Sequence, residues 1–144
     1  MHSYTSTLVH CAFSTKGRRR QLRREWNDRV WAFMGGIARQ NGIRALAIGG
    51  VEDHVHLLLS LPATMPVAKA VQLIKAGSSK MVRQTFTPMF EWQEGYASFS
   101  VGVSQVGRTV AYIRSQAEHH RKGSFREELE AFCKKHGIAL RPQD

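Results

Sequence analysis

The stretch that most restricts this chain runs from Ile43 to Pro62, IRALAIGGVEDHVHLLLSLP. Two apolar runs rich in β-favouring residues meet at a short polar and glycine-containing break, which is the pattern of a hairpin inside a sheet. IRALAIGG reads as a strand ending at Gly49-Gly50, and VEDHVHLLLSLP as its partner, stopped by Pro62. Side chains alternate along a strand, so Val55, Leu57 and Leu59 project from one face and His54 and His56 from the other. One face is therefore apolar, and the other carries two imidazoles about 7 Å apart along the strand. Such a pair is either two hydrogen-bonded histidines of a half-buried strand or the start of a divalent-metal site that still lacks a ligand.

The remaining elements fall around this hairpin. SYTSTLVHCAF, from Ser3 to Phe13, reads as a first strand followed by a basic loop, STKGRRR. Apolar residues recur at helical spacing from Leu22 to Gln40, through Trp26, Val30, Phe33, Met34 and Ile37, and Asn41-Gly42 reads as the stop. Thr64 is an N-cap candidate for a helix whose apolar line is Val67, Val71 and Ile74. A fourth strand follows Gly95, a helix is expected from Ser104 to about Arg121, and Ser124 opens a last helix ending at Gly137. The order strand, helix, strand, strand, helix, strand predicts an α+β fold. It is a ferredoxin-like antiparallel sheet with helices packed on it, plus further C-terminal helices, in one domain over 1–144.

Charge narrows the partners. The chain has 21 Lys and Arg against 11 Asp and Glu, a formal net charge of +10. That excess attracts a polyanion, most often nucleic acid. The two cysteines, Cys11 and Cys133, lack metal-type spacing and read as free thiols. The N-terminus lacks a signal-peptide pattern, and no apolar run approaches the roughly 20 residues of a membrane helix. A soluble, cytoplasmic protein with no membrane partner is the expectation.

The helix VGRTVAYIRSQAEHHRK carries the second chemical element. Val106, Val110, Ile113 and Ala117 form an apolar stripe, and Tyr112, Gln116 and His120 form another, each four residues from the last. A helix that lays the first stripe on the sheet aims Tyr112 and Gln116 at its edge. A tyrosine hydroxyl is a nucleophile and an amide oxygen is a ligand for a hard metal ion, while a rim aromatic beside a solvated glutamine fits the same spacing.

Together, DHVHLLLS and YIRSQAEHHRK resemble the His-hydrophobic-His motif and tyrosine helix of single-tyrosine HUH transposases of the insertion-sequence and REP-associated type. YTSTLVHCAFSTKGRRR, VQLIKAGSSK and FEWQEGYASFSVGVSQ are similar to further segments of that family. The resemblance implies that His54, His56 and Gln116 ligate Mg2+ or Mn2+. It implies that Tyr112 attacks a phosphate of single-stranded DNA near a hairpin, leaving a 5′-phosphotyrosine link and a free 3′-hydroxyl for later rejoining. It also implies a homodimer joined through sheet edges. Lys16, Arg18, Arg19, Arg20, Lys75, Lys80 and Arg83 are the candidate DNA contacts. Glu52 and His120 are candidates to support the ligands from behind, with a turn position and a helix-end cation as the simpler explanations. Asp53 alternates away and is the weaker candidate. A protein that holds hairpins without cutting them is the competing function, and a two-histidine phosphoesterase is disfavoured by the single His-x-His pair.

Overall fold

The computed structural model describes residues 1–119 and 123–142. Its sheet has four antiparallel strands, β1 (Leu8–Ser14), β2 (Arg44–Val51), β3 (His54–Ser60) and β4 (Ala97–Ser100), in the order β2-β3-β1-β4. Between them lie α1 (Asn27–Gln40) and α2 (Val67–Thr85). After β4 come α3 (Val106–Arg114), α4 (Gln116–His119) and α5 (Phe125–Lys135). This is the expected α+β, ferredoxin-like arrangement.

Alternation along the strands produces two different faces. Val9, Cys11 and Phe13 of β1 and Val55, Leu57 and Leu59 of β3 pack against Val30 and Met34 of α1 and Val71 and Ile74 of α2, forming the main core. On the opposite face Ala47 and Leu58 pack with Ile113 of α3 in a smaller apolar cluster. Cross-strand register puts His56 opposite Ala12 and Gly49, and His54 opposite Ser14 and Val51. The histidines therefore share the face covered by α3 to α5. A bulge between Ala45 and Ala47 changes the alternation of β2, so Ala45 faces the main core and Ala47 the smaller cluster.

Several elements differ from their sequence pattern, each for a local reason. β1 begins at Leu8 and not at Ser3, and Tyr4 is exposed. α1 begins at Asn27; Leu22 lies in a turn before it, yet its side chain is fully buried and its amide bonds Glu52 O. β2 continues through Gly49-Gly50 to Val51, so the hairpin turns on Glu52 and Asp53. Pro66 occupies the N-cap position of α2, not Thr64, and makes no side-chain cap. The expected long helix after β4 is divided. Val103–Gln105 is a 3-10 turn containing Ser104, and Ser115 separates α3 from α4 while its hydroxyl donates to Ala111 O at 2.8 Å. Gly42, at φ 73°, ends α1 as its sequence suggests, and Ser124 caps α5 by accepting from the Glu127 amide.

Glycine is required at one crossing. A Cβ on Gly49 would lie 2.6 Å from Ile113 O, so the bare backbone of β2 lets the end of α3 settle on the sheet. That contact fixes the height of Tyr112 above the strand.

Candidate active site

β3 supplies His54 and His56, both essentially fully buried. The Nδ1–H of His54 donates to Asp53 Oδ1 at 2.7 Å, and its Nε2 lies 3.0 Å from Gln116 Oε1. His56 Nδ1 lies 2.8 Å from Nε2 of His10 on β1. α3 brings Tyr112 over the pair, its ring 5.6 Å from that of His56 and edge-on to it. Gln116, at the start of α4, turns its oxygen to His54 and its amide nitrogen to Glu128 Oε1, 3.3 Å away. The four residues singled out by the sequence thus converge at one place.

α5 adds what the sequence reading missed. Phe125 stacks on His54, with ring centroids 4.5 Å apart, and Phe132 meets His10 edge-on. Between them Glu128 points inward. It accepts a hydrogen bond from the Tyr112 hydroxyl, and its Oε2 and Oε1 lie 3.4 Å from His54 Nε2 and 3.5 Å from His56 Nε2. The signal was present in FREELEAF. Phe125 and Phe132 bracket Glu128 at i−3 and i+4, so an acid occupies the apolar stripe of an amphipathic helix.

The electrostatics follow from burial and pairing. Burial opposes a charge on His54, but its hydrogen bonds to Asp53 and Glu128, and their charges, outweigh it and raise its pKa to about 9. Burial would raise the Glu128 carboxyl, yet hydrogen bonds to His54 and His56 prevail and hold it below its ordinary range. Burial, and then the neighbouring His56, lowers His10 to about 3, which leaves it a neutral ring. Among the described residues, His54, His56 and Glu128 are the group whose donor atoms, all within 4.8 Å of one another, could share an ion. Two imidazole nitrogens with carboxylate and amide oxygens are a chemically suitable donor set for a divalent cation.

The other candidates divide. Glu52 does not reach the histidines; it pairs with Arg20, and the neighbouring Asp53 holds His54 instead. The alternation argument against Asp53 fails because Asp53 lies in the turn, outside the strand. His120 lies outside the described residues. Arg20 lines a cleft of about 820 Å³ beside Gln116 and Asp53, together with Arg24 and Arg114, two arginines that no sequence motif marks. Arg18 lies over the Phe125 ring, 5.7 Å from its centre. Arg19 is exposed. Lys16, Lys75 and Arg83 surround a separate cleft; Lys16 pairs with Glu91 at 2.9 Å, and Lys75 donates to the Gln93 and Gly95 carbonyls. Lys80 is exposed on α2. Trp26 and Trp92 are structural, Trp26 stacked on Phe86 and Trp92 edge-on to Phe13 and Phe90, while Trp31, though largely buried, lines the same cleft as Arg20. No described helix is long and apolar enough to cross a membrane.

Comparison with known proteins places the chain in a family. A transposase for insertion sequence element IS200 from Salmonella typhimurium is 26% identical over 129 residues, covering 85% of this chain and 84% of that protein. A crystal structure of a transposase candidate from Deinococcus radiodurans R1 superposes with a TM-score of 0.66 at 24% identity, covering 81% of this chain and 95% of that one. A REP-associated tyrosine transposase bound to a REP hairpin superposes with a TM-score of 0.62 at 15% identity, covering 83% and 72%. Residues 3–116 match the family of IS200-like transposases, and this chain belongs to it.

Proposed function

We propose that this transposase is a metal-dependent single-stranded DNA nickase and strand-transfer enzyme with Tyr112 as its nucleophile. The observation that carries this reading is the convergence of the Tyr112 hydroxyl, two buried histidines and the Gln116 oxygen on one sheet face. His54, His56 and Gln116 would hold the ion, and their donor chemistry fits Mg2+ or Mn2+. When bound, the cation neutralises the scissile phosphate and favours attack on phosphorus.

The chain's own residues do the rest. The Asp53 carboxylate fixes the His54 ring, and His10 fixes that of His56. Tyr112 loses its hydroxyl proton as its oxygen bonds to phosphorus, the P–O3′ bond breaks, and the 3′-oxygen takes up a proton and departs as a hydroxyl, leaving a 5′-phosphotyrosine. A 3′-hydroxyl of another strand reverses the exchange, so the phosphodiester energy is conserved. The hairpin-bound structural neighbour and the chain's charge of +10 support a DNA hairpin as partner. Arg18, over the Phe125 ring, and Arg20, in the cleft beside Gln116, are the better phosphate contacts. A homodimer joined through sheet edges completes the proposal, β2 and β4 being the edge strands.

The test is a denaturing gel after incubation with a hairpin-bearing single strand and Mn2+. Wild type is expected to give a covalent protein–DNA band that Tyr112→Phe lacks while still retarding the hairpin in a native gel. A wild-type protein that binds hairpins but forms no adduct with any element end would instead be a hairpin-binding protein without nuclease activity.

A further inference from the structure

We propose that Glu128 is a further metal ligand, delivered by α5, so that four side chains and not three build the ion site. The inference rests on the metal-dependent reading above. Glu128 lies beyond residues 3–116, the part of the chain that the family match covers, so the family match does not speak for it.

Donor spacing is the first argument. Ligand atoms each about 2.1 Å from one cation lie about 3.0 to 3.4 Å from one another, depending on coordination geometry. Gln116 Oε1 lies 3.0 Å from His54 Nε2, while the Glu128 oxygens lie 3.4 Å from His54 Nε2 and 3.5 Å from His56 Nε2. Glu128 therefore stands at ligand spacing from His54 and 0.1 Å beyond it from His56, with one oxygen toward each. The carboxylate is enclosed: 12% of its side chain is accessible.

Placement is the second argument. The Phe125 ring stacked on His54 and the Phe132 ring against His10 fix the rotation of α5, and that rotation turns Glu128 inward. The ligand set then carries one negative charge, which strengthens its hold on a hard cation relative to two imidazoles and an amide. Glu128 also accepts from the Tyr112 hydroxyl, so one side chain touches both the nucleophile and the ligands. An ion held by Glu128 would tie α5, already packed through Phe125 and Phe132, more firmly to the sheet.

The experiment titrates the metal-stripped full chain with Mn2+, following free ion by electron paramagnetic resonance, and records amide exchange of α5 with and without Mn2+. Glu128→Gln is expected to weaken Mn2+ binding at least tenfold and to abolish Mn2+-dependent protection of α5. Glu127→Gln removes the same charge one residue away, is solvent-facing, and is expected to bind within twofold of wild type. Glu128→Asp keeps the charge but withdraws the oxygens, and is also expected to bind weakly; this variant decides the matter if Glu128→Gln does not fold. Wild-type affinity in a folded Glu128 variant, or an equal loss in Glu127→Gln, overturns the assignment. If wild type takes up no Mn2+, or His54→Ala binds as wild type does, the metal reading itself falls and this inference with it.

Discussion

Asp53 and His54 are neighbours in sequence, yet their side chains bond each other across the end of the hairpin, Asp53 Oδ1 to His54 Nδ1 at 2.7 Å. The carboxylate occupies one ring nitrogen and so aims the other, Nε2, at Gln116 and Glu128. Partners of this kind set ring orientation and basicity at metal sites. Asp53→Ala is expected to weaken Mn2+ binding about 10- to 100-fold with a smaller change in folding stability. Titration of the metal-stripped protein, set beside a denaturant melt, separates the two.

Glu52, one residue earlier, serves as the contrast. Its partner is Arg20, whose side chain is 77% exposed, and exposed ion pairs contribute about 0 to 1 kcal/mol. Glu52→Gln should leave Mn2+ affinity within twofold of wild type, and a large loss would show that the turn communicates with the ligands through more than Asp53.

Gly49 tests whether the height of α3 matters. Its missing Cβ is what allows Ile113 O so close to β2, and the clashing atom is backbone, which cannot swing aside. Gly49→Ala is expected to cost about 1–3 kcal/mol in a denaturant melt. Covalent adduct formation should fall further than that loss explains, because Tyr112 precedes Ile113 on the lifted helix.

Lys75 and Lys80 stand five residues apart on one helix and should behave differently. Lys75 bridges the Gln93 and Gly95 carbonyls and lies 5.3 Å from the centre of the Phe13 ring, so Lys75→Ala should lower the melting temperature. Lys80 is exposed, so Lys80→Ala should leave stability within about 0.5 kcal/mol of wild type. If Lys80 neutralises a phosphate, its loss also lowers the salt slope of hairpin binding by about 1.

Much of this was legible in the chain because two simple periodicities govern it. Alternation in DHVHLLLS placed the histidines opposite Val55, Leu57 and Leu59, and four-residue spacing placed Tyr112 beside Gln116, even though Ser115 breaks the helix between them. The strand-and-helix order gave the sheet. What escaped depends on contacts distant in sequence or on a turn. Asp53 was assigned a face by an alternation that starts only at His54. His10 reaches His56 across 46 residues through the pairing of β1 with β3. Glu128 stands out locally as an acid in the apolar stripe of α5, but its meeting with His54, His56 and Tyr112 depends on how that helix docks.

The Glu52-Asp53 turn also carries bonds beyond the hairpin: Thr15 N donates to Asp53 O and Leu22 N to Glu52 O, at 2.9 Å each. The start of β3 is thereby pinned at two points of the connection between β1 and α1. A slip of one residue would hand His54 and His56 to the apolar layer and turn Val55 toward Tyr112, exchanging the two faces wholesale. There is no half-working intermediate between those registers. Insertions or deletions in this turn should therefore be scarcer than a surface hairpin ordinarily tolerates, because its length is the gauge that tells the sheet which side is chemistry and which is ballast.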